Sequence, residues 1–131
     1  MIVVDASVLT TALAYADDRG RRARSVLARD IEWAAPEHWK AEVFSAVRGL
    51  TLTGQISETQ AFRVVDRIPR LGVDHVSLDR LLPRVWQLRA TLGAFDAPYV
   101  ALAEARGITL VTADPPLARA AVAHCRVELV G

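Results

Sequence analysis

The chain has 131 residues, one cysteine and a net charge of +1 from 16 basic and 15 acidic side chains. That length makes a single domain, residues 1–131, with room for a real core, and 52% hydrophobic residues exclude disorder. No apolar run approaches the roughly 20 residues of a membrane span, the lone Cys125 allows no internal disulfide and fits a reducing cytoplasm, and the near-neutral balance excludes a wholesale basic surface.

Ile2-Val3-Val4 is β-branched without polar alternation, the pattern of a strand buried on both faces of a parallel sheet. It runs directly into Asp5, which sits where a helix over residues 6–15 begins; such a carboxylate is either a helix N-cap or part of a site at the carboxyl edge of the sheet. Ala14-Tyr15-Ala16 has the look of a cleavage site, but no basic segment precedes it, so the stretch reads as mature protein. Asp17 and Asp18 cap a second helix with Ala23, Val26 and Leu27 inward and Arg19, Arg21, Arg22 and Arg24 on a solvated face. Residues 31–35 form a short strand that Pro36 stops.

A helix over residues 37–53 follows, with Trp39, Val43, Ala46, Val47 and Leu50 as its apolar stripe. Glu42 lies beside the stripe, in line with Ala46 and Gly49, whose small side chains leave room for a ligand. Gly54 ends it. Ser57-Glu58-Thr59-Gln60 is a capping box, with Ile56 and Ala61 placed as a hydrophobic staple; that helix reaches Ile68 and stops at Pro69. Residues 73–76 are a strand containing a structural His75. Ser77 to Leu82 reads as a turn, with Pro83 opening a helix to Leu92 that buries Leu82, Val85, Trp86 and Leu92.

Asp96 opens the next helix, residues 97–106, after Gly93 breaks the chain; Gly107 closes it. Residues 108–112 are a second buried strand, Asp114 ends it, Pro115-Pro116 open another helix, and residues 127–130 are the last strand. The alternation argues an α/β fold, a parallel sheet with helices on both faces.

Asp5 and Asp114 follow buried strands, Asp96 starts a helix, and Glu42 lies one turn into a helix that follows a strand. In a parallel sheet all four converge at the carboxyl edge. Gathered carboxylates repel, and hard divalent cations relieve that repulsion through oxygen ligands. Without His or Cys alongside, Mg2+ or Mn2+ suits the set better than zinc. Such ions bind phosphate oxygens and activate water, so the chemistry implied is phosphodiester hydrolysis. The positive charge is almost all arginine, Lys40 being the only lysine; arginine suits phosphate recognition, though a coding bias gives the same composition.

The segments Val3-Val4-Asp5-Ala6-Ser7, Ala41 to Arg48, Phe95 to Glu104 and Leu110 to Asp114 together resemble the PIN-domain ribonucleases, and within them the VapC-type toxins of toxin–antitoxin pairs. The resemblance covers essentially the whole chain. It implies a three-layer α/β/α sandwich, two-metal endoribonuclease activity, a homodimer and a cognate antitoxin that inserts an Arg among the acids. It places metal-binding carboxylates on Asp5, Glu42, Asp96 and Asp114, with Ser7 and Thr112 supporting them. The sequence departs at Pro115, Pro116 and Leu117, where many relatives carry a further acid; this bears on a second metal ion. Phe95 stands where Tyr is common, a packing change. A haloacid-dehalogenase-type phosphatase needs an acid at the position of Ser7, and a phospho-accepting receiver needs a late lysine; both readings fail. The remaining alternative is a PIN-like module that binds RNA or protein without cutting.

Overall fold

The computed structural model describes residues 1–131. Five parallel strands form one sheet in the order β3-β2-β1-β4-β5: β1 (Ile2–Val4), β2 (Trp33–Pro36), β3 (Val73–Val76), β4 (Leu110–Thr112) and β5 (Val127–Leu129). The first half of the chain builds outward from β1 through β2 to β3. The second half returns to the other side of β1 with β4 and β5. The switch in direction falls between β1 and β4, where an open parallel sheet leaves a crevice at its carboxyl edge. Val3 and Val4 are wholly buried in that centre, as is Leu110 across from Val3.

Seven α-helices complete the sandwich: α1 (Ala6–Ala14), α2 (Asp18–Leu27), α3 (Trp39–Leu52), α4 (Glu58–Arg67), α5 (Leu78–Gln87), α6 (Ala97–Arg106) and α7 (Pro115–Ala121). Helix α1 packs against α2, α3 and α4; α6 lies across β1, β2 and β4 and carries α5 on its outside. No helix is long and apolar enough to cross a membrane. The capping box of α4 forms in full, Ser57 Oγ accepting from the Gln60 N–H and Gln60 Oε1 from the Ser57 N–H. Gly107 closes α6 in the left-handed conformation at φ 64°, which a Cβ would oppose.

Several local expectations are corrected. Pro36 does not stop β2 but is its last residue, in register with Val76; β1 pairs no further than Ala34, so the missing N–H breaks no ladder bond there. Helix α5 starts at Leu78 on a Ser77 cap, leaving Pro83 inside the helix rather than at its start. Its buried face differs accordingly: Leu81 and, at the C-cap, Leu88 are buried, whereas Leu82 and Trp86 are 52% and 67% exposed; Leu92 is buried as expected but lies beyond the helix. In α3 the buried residues are Trp39, Val43 and Val47, and Ala46 is exposed. Arg24 is exposed with the rest of its basic run, as expected, but is also anchored: its guanidinium donates to the carbonyls of Ala12 and Tyr15, both at 2.8 Å, closing the C-terminal end of α1. His75 is structural as expected, its Nδ1 accepting from the Nε1–H of buried Trp39.

Candidate active site

Three aspartates occupy helix N-cap positions: Asp5 before α1, Asp96 before α6 and Asp114 before α7. None of them caps its helix through its side chain. That result removes the plain explanation for all three carboxylates at once, since an N-cap acid exists to accept a first-turn N–H. They turn instead into one cavity of about 190 Å³, lined by Asp5, Ser7, Thr10, Glu42, Ala46, Asp96 and Asp114 together with Ala6. All four predicted acids therefore meet at the carboxyl edge of the sheet, beside the switch between β1 and β4. A larger cavity of about 570 Å³ between α1 and α4 contains none of them; the small one holds the chemistry because it holds the charge.

Ser7 and Thr112 stitch this edge together. The Thr112 hydroxyl donates to Asp5 Oδ2 at 2.8 Å and accepts from the Asp114 N–H at 3.0 Å. The Ser7 hydroxyl donates to the same Asp5 oxygen and accepts from the Ala113 N–H at 2.9 Å. Thus Thr112 holds both the Asp5 carboxylate and the Asp114 backbone N–H, and two hydroxyls aim a carboxylate only 5% exposed. Burial pushes the Asp5 carboxyl above its usual range and nearby Glu42 adds to this, while the two hydroxyl hydrogen bonds pull it back.

Glu42 is held from two sides. The phenol of Tyr99 donates to Glu42 Oε1 at 2.7 Å, and His38 Nε2 lies 3.2 Å from the same oxygen. His38 Nε2 also meets the carbonyl of Phe95 at 2.9 Å, so two oxygens face this nitrogen and it carries the proton. Its bond to Glu42 raises the His38 pKa against the effect of burial. Neither Tyr99 nor His38 is among the residues singled out from sequence. For His38 the available signal is spacing, since it stands four residues before Glu42; Tyr99 bonds an acid on another helix and offers none.

No lysine or arginine pairs with any of the four acids; the sole ionic partner is His38, at Glu42. The cost falls on Asp96, whose pKa is pushed up to about 6 by desolvation and then by the charges of Asp5, Asp114 and Glu42. An all-oxygen donor set with uncompensated charge fits a hard divalent cation. As they stand, no three of the acids are placed to hold one metal ion between them. Beyond Asp114, Pro115 and Pro116 are exposed and Leu117 is buried, so this side offers no further ligand. Phe95 is a correction: its ring is 68% exposed and does not pack into the core.

A parallel α/β sandwich with acids gathered at its switch point defines a class, and residues 2–123 match the PIN domain; the chain belongs to that family. Among its relatives, Ribonuclease VapC3 of Mycobacterium tuberculosis is 38% identical over 119 residues, 91% of this chain and 86% of the relative. The crystal structure of Mycobacterium tuberculosis VapC20, a sarcin-ricin loop cleaving toxin, matches with a TM-score of 0.66 at 20% identity, covering 92% of this chain and 95% of that one. VapBC2 from Rickettsia felis, bound to a promoter DNA fragment, matches with a TM-score of 0.63 at 18% identity over 100% of both chains. The two structures show the same fold.

Proposed function

We propose that this protein is the ribonuclease toxin of a toxin–antitoxin pair, hydrolysing RNA phosphodiester bonds with Mg2+ or Mn2+ held by Asp5, Glu42, Asp96 and Asp114. The observation that carries the reading is the three N-cap aspartates that decline to cap and face one cavity without a basic partner. The 38% identity to a VapC ribonuclease supports RNA as the substrate. The chemistry a bound cation supplies is neutralisation of the phosphodiester and activation of the attacking water. The protein's part is positioning. Ser7 and Thr112 fix Asp5, Tyr99 and His38 fix Glu42, and burial keeps Asp5 in a medium where its charge acts strongly.

Two partners follow. The cavity's uncompensated charge suits an arginine inserted by a small antitoxin, which would occupy the acids as a planar cation. The exposed Leu82 and Trp86 on α5 flank a groove that also contains Val85 and Leu92, with the Arg89 guanidinium stacked on the Trp86 ring, and this largely apolar face supports a homodimer. The deciding experiment is cleavage of single-stranded RNA with Mg2+ or Mn2+ and with chelator. Metal-dependent products carrying 5′-phosphates are expected. Metal-independent products ending in 2′,3′-cyclic phosphate, or binding without cutting, would sink the reading.

A further inference from the structure

Beside the acid cavity lies a second one of about 430 Å³, lined by His38, Ala41, Glu42, Ser45, Ala46 and Phe95. Glu42 and Ala46 line both, so the two share a wall. We infer that this second cavity is a nucleobase subsite, taking the base next to the cut phosphodiester and stacking it on Phe95; the inference rests on the ribonuclease reading above and extends it.

Phe95 immediately precedes Asp96, yet its ring is 68% exposed at the mouth of a charged site. It is not on a loose loop. The Phe95 carbonyl is held by His38 at 2.9 Å, and the N–H groups of Asp96 and Ala97 bond the Gly93 carbonyl at 3.2 and 2.9 Å. The His38 ring stands 6.1 Å from the Phe95 ring at 47°, leaving the phenyl face free for a planar ligand. Ala41 and Ala46, which also line the cavity, present only methyl groups. Ser45 is exposed and its hydroxyl makes no hydrogen bond within the protein, so it can meet the edge of a base.

The walls also exclude alternatives. No Arg or Lys lines the cavity, so a phosphate has nothing to bind there. Glu42 is already engaged by Tyr99 and His38, and His38 Nε2 by Glu42 and the Phe95 carbonyl. What fits is a flat, neutral, aromatic group with a polar edge, tethered to a phosphate that reaches the adjoining acids. Bases splayed from single-stranded RNA and stacked on aromatic side chains are bound in this way.

The test uses a short single-stranded RNA cut by the wild-type protein at one mapped bond, and the same RNA with an abasic residue on either side of that bond. Phe95→Ala should raise KM on the intact RNA by about 5- to 100-fold, the value of one base stack, with a smaller change in kcat. One of the two abasic substrates should show the same rise with the wild-type protein and no further rise with Phe95→Ala. Phe95→Trp should restore the wild-type KM. An unchanged KM for Phe95→Ala on a substrate the wild type cuts would overturn the subsite alone. So would conversion of a dimer to a monomer at unchanged KM, which would give the ring to a protein contact. Failure of the wild type to cut any RNA would instead overturn the ribonuclease reading, and the subsite with it.

Discussion

Asp5 is a carboxylate that the fold buries without giving it a cation, and two hydroxyls on it do not repay that desolvation. Asp5→Asn keeps the shape, and its side chain can still accept from Ser7 and Thr112, while the charge that would hold a metal ion is gone. Cleavage should fall by more than about 100-fold, since residues merely supporting metal ligands already cost 10–100-fold. The metal-free variant should nonetheless melt no lower than the original protein, because one repelling charge has been removed. A variant that keeps activity and a metal-induced rise in Tm would remove Asp5 from the site. Tyr99→Phe tests the other end. It deletes the 2.7 Å hydrogen bond to Glu42 and leaves the packing of a wholly buried ring unchanged. A stability loss of about 1.5–3 kcal/mol is expected for a bond to a charged group, together with activity reduced about 10–100-fold. Recovery of that activity at higher Mg2+ would show that Tyr99 acts by holding Glu42; a loss that metal does not relieve would make the role structural only.

Elements were legible from sequence where a local signal fixed them, and not where distant contacts decided. The β-branched run before Asp5, the capping box at Ser57 and Gly107 beyond α6 are local signals, and each stands where expected. Helix α5 misled because Pro83 is a strong start signal, and a helix interior tolerates it here one turn and a half after the Ser77 cap. The register then followed the wrong origin, although Leu81 and Leu88 carry the proper helical spacing. Of the site, the four acids could be read because strand ends and helix starts in a parallel sheet must meet; the grip of Tyr99 on Glu42 spans 57 residues and has no local signature. Likewise Arg24 sits in a basic run, and only the close approach of α1 and α2 gives it the carbonyls of Ala12 and Tyr15 to bond. Gly20 makes that approach possible: a Cβ there would lie 1.7 Å from the Tyr15 carbonyl oxygen and 2.7 Å from the Arg24 guanidinium. Gly20→Ala should therefore cost about 1–3 kcal/mol through overpacking. Gly49→Ala in α3, with nothing within 4 Å of its Cβ, should gain about 0.5–1 kcal/mol from helix propensity. Urea unfolding of both variants checks the pair, and equal signs would refute the α1–α2 account.

At the scale of the whole molecule, a net charge of +1 hides a separation: arginines lie outside, and four acids share one cavity without any of them. The separation makes the stability of the metal-free protein depend on pH with a definite sign. Asp96 releases its proton near 3.8 when free and near 6 in the fold, so the folded state binds more protons in that interval and stability falls as pH rises through it. Asp5 is shifted the same way. His38, also raised, extends the fall to higher pH, where the fold loses the imidazolium's bond to Glu42. Asp17, Asp30 and Glu104, all lowered by their partners, act in the opposite sense, but only around and below the ordinary carboxylate range. With chelator present, the protein should thus be most stable near pH 5 and lose on the order of 1 kcal/mol by pH 7, after discounting for solvent at the half-open cavity. Mg2+ or Mn2+ should reverse the trend, because ligand carboxylates must be deprotonated to bind. At a hundredfold excess over Kd the cation adds about 2.7 kcal/mol, and its effect on Tm should be larger at pH 7 than at pH 5. Thermal melts across this range, with chelator and with metal, measure both slopes. Stability that rises with pH in chelator would mean the four acids do not feel one another, and a cavity of mutually indifferent acids would have no call for a cation.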